Sequence, residues 1–220
     1  MNQSITIVTA FFDIGRGEWQ HNFQRSSQNY LSYFKNLATL ENEMVIFTQK
    51  EFISTIREYR GNKPTHIIEI DFQDKYKNII NKVQNILDSP KYQSLIPEEL
   101  LKNPEYSSAK YVVVTNLKFY FVKKAIEICN SEKDANLYAW VDFGFCRKNS
   151  TTNGMIKWNH NFDPNYIHLF TLKESFIIED KATMLQKALN NEVYIIGSMM
   201  VGSKKSWYEA YRLITKLQIA

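Results

Sequence analysis

Residues 4–19, SITIVTAFFDIGRGEW, decide the fold class of this chain. The stretch opens with β-branched and apolar residues over the length of one buried strand. It closes on an aspartate and two glycines, which favour a loop. A buried strand that runs into a polar, glycine-bearing loop is typical of the first unit of an α/β sheet, where ligands lie beyond the carboxyl ends of the strands.

The residues that follow alternate between helix and strand patterns. Residues 25–40 and 51–60 have apolar side chains close to helical spacing. MVIFT (44–48) and THIIEI (65–70) are short apolar runs of strand length. This βαβαβ order predicts an α/β, Rossmann-like domain with a mostly parallel central sheet flanked by helices.

The second half of the chain predicts the rest of the sheet. One segment is ambiguous, because in AKYVVVTNLKFYFVKKAIEICN (109–130) the YVVV run favours a strand, whereas the apolar spacing favours a helix, which we begin at about Leu117. No linker or repeat divides the chain, so we treat residues 1–220 as a single domain. The remaining predictions are strands in LYAWVDF (137–143), YIHLFTL (166–172) and EVYIIGSMMVGS (192–203), and a closing helix in KSWYEAYRLITKL (205–217).

Composition restricts the classes of function. The chain has 220 residues, 44% hydrophobic and 23% charged, as expected of a globular protein. The net charge of +4 is spread without a basic block, which fits weak attraction to anionic ligands or a membrane surface but is no nucleic-acid signature. No apolar run approaches the ~20 residues of a bilayer span. We expect a cytoplasmic protein, soluble or peripheral at the inner membrane face.

Cysteine and histidine usage predicts no structural zinc site. Cys129 and Cys146 show no CxxC spacing, so we interpret them as reduced thiols. The four histidines show no HxxxH or HExxH pairing. The absence of a GxSxG elbow and of a Walker loop also argues against many hydrolases and ATPases.

The loop after the first strand is the first candidate site. Thr9 to Asp13 would lie at the carboxyl end of that strand, in the expected ligand crevice. Asp13 could accept from a ribose or base, and Arg16 could bind a phosphate. The GxGxxG fingerprint of dinucleotide sites is absent. In the alternative, the glycines only turn the chain and Asp13 caps the turn.

WVDFG (140–144) is the second candidate. Asp142 ends a central strand, and Gly144 would let the backbone approach a ligand. A carboxylate in that place suits a divalent cation, Mn²⁺ or Mg²⁺, which would neutralise charge on a diphosphate leaving group. The alternative is a strand-end aspartate that caps the next turn.

Two further segments are weaker candidates. Lys118 opens the helix before the fourth strand and could contact phosphate, although a solvated lysine is the simpler interpretation. Gly197, Ser198 and Gly202 lie in a small-residue stretch that could form the wall of an acceptor site. A buried strand and a tight turn explain that stretch equally well.

These segments, taken together and in order, resemble the bacterial HtrL/YibB family. The resemblance rests on ITIVTAFFDIGRGEW, MVIFT, NPEYSSAKYVVVTNLKFYFVKKAI, WVDFGFCR and YIIGSMMVGSKKSWYEAY, and covers nearly the whole chain. TAFFDIGR and WVDFG are its most specific parts. The family is assigned to glycosyltransferases and is often associated with lipopolysaccharide or capsule loci.

The resemblance implies a GT-A-like fold that binds a nucleotide-diphosphate sugar. GT-A enzymes place an Asp-x-Asp metal site at this point of the fold, and here Gly144 stands in the second acidic position, which leaves Asp142 as the metal ligand. Carried over residue by residue, the implied nucleotide-sugar site is Thr9, Ala10, Phe11, Asp13, Arg16, Arg60, Lys118, Asp142 and Gly144, and the implied acceptor side is Gly197, Ser198 and Gly202.

Three functions remain open from the sequence. The first is a cytoplasmic transferase that moves a sugar from a nucleotide-diphosphate donor to a glycan or glycolipid acceptor of the cell envelope. The second is a catalytically inactive sugar-nucleotide or glycan-binding partner in envelope assembly, which the missing second carboxylate favours. The third is a nucleotidyltransferase on the same kind of sheet. In similar proteins further chain follows the closing helix, so this sequence is either a short or a truncated member.

Overall fold

The computed structural model describes residues 4–20, 22–129, 137–173 and 180–219. These residues form one six-stranded sheet with helices on both faces. The strands are β1 (Ile5–Phe11), β2 (Met44–Thr48), β3 (Thr65–Glu69), β4 (Leu137–Val141), β5 (Ile167–Thr171) and β6 (Ile195–Ser203).

The helices connect and cover these strands. Short 3-10 turns supplement them in the loops. No helix in the described ranges combines the length and apolar content that crossing a bilayer requires. The helices are α1 (Ser27–Leu37), α2 (Ile53–Arg60), α3 (Phe72–Lys75), α4 (Lys77–Leu87), α5 (Pro90–Gln93), α6 (Pro104–Ser107), α7 (Ala109–Asn116), α8 (Lys118–Cys129), α9 (Lys181–Leu189) and α10 (Lys204–Ile219).

The strand order is β3-β2-β1-β4-β6-β5. β3, β2, β1 and β4 pair in parallel, as predicted. β6 is antiparallel to both β4 and β5, so the sheet is mixed: among the described strands β6 alone runs against the other five, and its direction was not predicted. The apolar pattern could not reveal this, because a buried strand needs apolar residues whichever way it runs.

The sheet is buried on both faces, which explains the near-continuous apolar runs of β1, β2 and β4. On one face, Ile7 and Ile46 pack in a cluster with Phe34 of α1. On the other face, Val8 and Trp140 pack in a second cluster that includes residues of α4, α7, α8 and α10. Alternate residues of one strand therefore supply two cores.

The ambiguous segment is helical from an earlier residue than predicted. α7 begins at Ala109, and Leu117 separates it from α8. The hydroxyl of Ser108 accepts from the backbone N–H of Tyr111 and caps α7. Val113 is buried in the second core cluster. Capping and tertiary packing thus outweigh the strand preference of the YVVV run.

Candidate functional site

A pocket lies at the carboxyl ends of β1 and β4. The chain passes from β1 to β2 and β3 on one side and returns with β4 on the other, so these two neighbours form the switch point where open α/β sheets bind ligands. The cavity volume is about 160 Å³. Its lining includes Ala10, Phe11, Phe12, Asp13, Ile14, Arg16, Arg25, Ser27, Tyr30, Tyr111, Val114, Thr115, Lys118, Trp140, Asp142, Phe143 and Gly144.

The β1 loop is held against α1 by Asp13. Its Oδ1 accepts from the backbone N–H of Gly15 (2.9 Å), and its Oδ2 accepts from the hydroxyl of Ser27 (2.7 Å). Gly15 has a φ of 82°, a left-handed conformation that glycine adopts without steric cost. Asp13 therefore caps the turn after β1, as the alternative interpretation predicted, and it also lines the pocket.

Arg16 presents a cation that its described contacts leave uncompensated. Its Nη1 donates to the hydroxyl of Tyr30 (2.6 Å), and its Nε donates to the carbonyl of Phe23 (3.0 Å). The guanidinium carbon lies 5.2 Å from the ring centroid of Trp19 and 5.7 Å from that of Tyr111. None of the described partners is a carboxylate, so this side chain is suited to bind an anion.

Asp142 points into the pocket. Its Oδ1 lies 2.8 Å from Lys118 Nζ and accepts from the indole N–H of Trp140 (2.6 Å). The following turn is closed instead by its main-chain carbonyl, which accepts from the N–H of Phe145 (2.8 Å). The turn-capping alternative therefore does not describe this carboxylate, and Oδ2 has no donor among the described residues.

Lys118 opens α8 as predicted and is tied to the site on two sides. In addition to its ion pair with Asp142, its Nζ donates to the carbonyl of Gly197 (2.7 Å). Only 13% of its side chain is exposed. The pair fixes a positive and a negative group side by side at the edge of the pocket, with Lys118 shielded from solvent and the Asp142 side chain 39% exposed.

The donor set at Asp142 does not favour a divalent cation. One carboxylate oxygen already has an ammonium group 2.8 Å away, and a metal ion there would meet like charge. Within the described residues, a cluster of three side chains that could ligate a metal lies at the amino ends of the strands, away from Asp142. The Mn²⁺ or Mg²⁺ site stays a prediction.

The tyrosines beside Arg16 remain protonated at neutral pH. Burial raises the pKa of Tyr30, although Arg16 and other nearby arginines act in the opposite direction. Burial, followed by the charge of Glu105, raises the pKa of Tyr111 to about 12. Both phenols therefore keep their protons. The Tyr111 hydroxyl donates to Glu105 (3.3 Å), whereas the Tyr30 hydroxyl accepts from Arg16 and can still donate.

Comparison with known proteins gives the family. The family model described as "Bacterial protein of unknown function (HtrL_YibB)" matches residues 3–220. The chain is 41% identical over 224 residues to "Protein HtrL" of Escherichia coli (strain K12), an alignment that covers 99% of this chain and 78% of that protein. The chain belongs to the HtrL/YibB family. Because the family description gives no function, the roles of its residues must come from the site itself.

Most of the predicted nucleotide-site residues of this HtrL/YibB chain line the pocket at the carboxyl ends of β1 and β4. Thr9 is the exception within the first strand, since it is fully buried and its hydroxyl has no partner among the described residues. Phe11 is largely buried and stacks on Phe143, with ring centroids 4.8 Å apart. Those that reach the pocket are Ala10, Phe11, Asp13, Arg16, Lys118, Asp142 and Gly144.

Gly144 makes room for a side chain. A Cβ added there would lie 2.8 Å from Cε1 and 2.9 Å from Cδ1 of Tyr30, closer than such atoms approach. The glycine therefore allows the Tyr30 ring to sit beside Arg16, which differs from the direct ligand approach that the sequence suggested.

Arg60 lies outside the pocket. It is 1% exposed, and its contacts are at the amino ends of the strands, opposite the pocket. Its five N–H groups donate to the Thr65 hydroxyl and to four backbone carbonyls, so none is left for a nucleotide. Burial lowers its pKa to about 10, which still leaves it charged at neutral pH. The carbonyl partners are those of Ala38, Leu40, Asn42 and Pro64.

The proposed acceptor residues separate into two groups. Gly197 and Ser198 adjoin the pocket, because the Gly197 carbonyl accepts from Lys118 and the Ser198 carbonyl accepts from the N–H of Asp142 (2.9 Å). Gly202 pairs with Tyr138 near the amino end of β4, away from the pocket. A Cβ there would lie 2.5 Å from Ile167 Cδ1, so close packing explains this glycine.

Several pocket residues were missed from the sequence. Trp140 precedes Asp142 by two positions, and period-two alternation along β4 could have placed both on one side. Tyr30 and Tyr111 come from α1 and α7, and no local pattern connects those helices with the loop after β1. Arg25 precedes α1 in the segment after β1, and no pattern in the sequence marked it as a pocket residue.

Proposed function

We propose that this protein transfers a sugar from a nucleotide-diphosphate donor to a glycan or glycolipid acceptor of the cell envelope. One observation carries the proposal: the uncompensated Arg16 and the Lys118–Asp142 pair meet in one aromatic-lined pocket at the switch point of the sheet. Binding a diphosphate requires cationic side chains. Binding a sugar or a base requires aromatic ring faces and groups that accept hydrogen bonds from hydroxyls.

Arg16, Lys118 and Asp142 have separate roles in this proposal. Arg16 binds the diphosphate, for which its planar guanidinium can offer two parallel donors. Lys118 stabilises the negative charge that grows on the departing diphosphate. The Oδ2 atom of Asp142 accepts a hydrogen bond from a hydroxyl of the donor sugar, while Oδ1 stays paired with Lys118. Catalysis then rests on positioning and on fixed charges.

The cavity encloses only part of such a donor. Its volume of about 160 Å³ lies below the roughly 300–1,000 Å³ of pockets that bury drug-sized ligands. We place the diphosphate and the sugar beside Arg16 and Asp142. The nucleoside would lie in the open mouth of the pocket, along the loop after β1.

Donor binding is the first test. The melting temperature would be measured with UDP-, GDP-, CMP- and dTDP-sugars, with and without Mn²⁺, for wild type, Asp142→Asn and Arg16→Gln. We expect one donor class to raise the melting temperature, and Arg16→Gln to weaken its binding about tenfold or more, since a charge-assisted hydrogen bond contributes about 1.5–3 kcal/mol. Arg57→Gln, an exposed change on α2, is the matched control.

Donor turnover distinguishes the candidate functions. Release of sugar from the bound donor, lost in Asp142→Asn, supports a transferase. Binding without release supports the inactive sugar-nucleotide or glycan-binding partner, which the absence of a second carboxylate at Gly144 favours. Consumption of a nucleoside triphosphate and a sugar phosphate would identify a nucleotidyltransferase. Action at the cytoplasmic membrane face, on an envelope acceptor, belongs to this proposal and would be tested with the acceptor in vesicles.

A further inference from the structure

A cluster of side chains of metal-binding types lies at the amino ends of the strands, opposite the pocket. Glu43 immediately precedes β2, His66 lies in β3, and Cys129 ends α8. Their Oε, Nε2 or Nδ1 and Sγ atoms all lie within 4.8 Å of one another. We call these three residues the amino-end cluster. The strands separate it from the pocket by about 15 Å, the length of a five-residue strand.

We propose that the amino-end cluster is a binding site for Zn²⁺. Carboxylate, imidazole and thiolate are together the ligand types that zinc takes, and a thiolate excludes magnesium and calcium as preferred ions. Three protein ligands would leave a fourth position for water. Binding would release the Cys129 thiol proton to solvent and would form the Zn–S bond without a change of oxidation state.

The distances fit such an ion. His66 Nε2 lies 3.3 Å from Glu43 Oε1. Two ligands of a tetrahedral ion with bonds of about 2.0–2.1 Å are separated by roughly 3.4 Å. The Cys129 sulfur lies within 4.8 Å of the other two ligand atoms, a wider spacing than a tetrahedral ion allows. To bind the ion, one side chain must therefore move by about 1 Å.

The surroundings hold the ligands and admit the ion. The second carboxylate oxygen of Glu43 accepts from the hydroxyl of Thr6 (2.9 Å), which orients Oε1 towards His66. The Glu43 carbonyl accepts from the N–H of Ile7 (2.9 Å), so the backbone is also fixed. The side chains of His66 and Glu43 are 43% and 35% exposed, and an ion can reach them from solvent.

Cobalt provides the test, because thiolate-bound Co²⁺ absorbs in the near ultraviolet. The full chain would be stripped with a chelator and titrated with Co²⁺, which Zn²⁺ would then displace. We expect one equivalent to bind, with the thiolate band abolished in Cys129→Ser and retained in Cys146→Ser, the matched control. We expect His66→Gln to weaken binding at least about tenfold.

Three results would overturn the proposal. One is the absence of a thiolate band at stoichiometric Co²⁺. The second is a band that survives Cys129→Ser or disappears in Cys146→Ser. The third is Zn²⁺ affinity unchanged in His66→Gln, which would leave a plain His–Glu ion pair. If circular dichroism shows that Cys129→Ser does not fold, His66→Gln decides alone, since that side chain is half exposed.

Discussion

Gly144 supports the pocket by leaving space for the Tyr30 ring. In Gly144→Ala the new Cβ must displace that ring, and the Tyr30 hydroxyl would leave its 2.6 Å hydrogen bond from Arg16. We expect a loss of about 1–3 kcal/mol in the free energy of unfolding, as for other overpacked sites. Urea denaturation measures it.

Gly197→Ala is the control for that substitution. Gly197 also adjoins the site, but an added Cβ would meet no atom within 4 Å. Its unfolding free energy should stay within about 0.5 kcal/mol of wild type. Equal losses in the two variants would show that the Tyr30 ring moves aside without cost.

Arg60 is a second residue-scale case, in which the charge serves the fold. Arg60→Met would leave the buried carbonyls of Ala38, Leu40 and Asn42 without donors, whereas the Pro64 carbonyl would keep the N–H of Met44. We expect the free energy of unfolding to fall by at least about 3 kcal/mol, because each unsatisfied buried group costs roughly 1–3 kcal/mol. Urea unfolding of Arg60→Met and of the exposed Arg57→Met would be compared, and a similar midpoint shift in both would contradict this role.

At the scale of the element, α1 positions two residues of the pocket. Ser26 and Asn29 form a capping box: the Ser26 hydroxyl accepts from the N–H of Asn29, and the Asn29 side chain accepts from the N–H of Ser26. The next residue, Ser27, donates to Asp13, and Tyr30 follows within one turn. The cap therefore determines where α1 begins relative to the loop after β1.

Removal of the cap should weaken α1 at that end. We expect Ser26→Ala to lower the unfolding free energy by about 1 kcal/mol. Ser32→Ala, on the exposed face of the same helix, should be neutral or slightly stabilising because alanine is the better helix former. Thermal melts followed by circular dichroism would compare them. A lower melting temperature for Ser32→Ala than for Ser26→Ala would refute the assignment.

At the scale of the whole molecule, Cys146 reports on global unfolding. Burial raises the pKa of this thiol to about 11, and the residue is 3% exposed within the first core cluster. At pH 8 its reactive thiolate is therefore scarce in the native state. In a Cys129→Ser background, we expect a thiol reagent to react slowly at pH 8 and to accelerate across the urea transition. A fast reaction in native buffer would mean that this core opens locally.

The sequence predicted much of the fold and part of the site. β1 to β4 were predicted because each is an apolar run of strand length, and the two helices between β1 and β3 because their apolar residues recur at helical spacing. Asp13 and Asp142 were each expected in the ligand crevice at the carboxyl ends of strands, and the resemblance to the family joined them with Arg16 and Lys118 in one site. The start of α7 was missed, since helix capping and packing overrode the preference of its valines.

The sequence by itself determined the α/β class, the buried strands and the polar residues at their carboxyl ends. Only the tertiary structure decided the direction of β6, the structural role of Arg60, the ion pair of Lys118 with Asp142, and the meeting of Glu43, His66 and Cys129. The physical reason is that strand and helix patterns are local, whereas these contacts join residues far apart in the chain. Their partners are fixed by how the helices pack on the sheet.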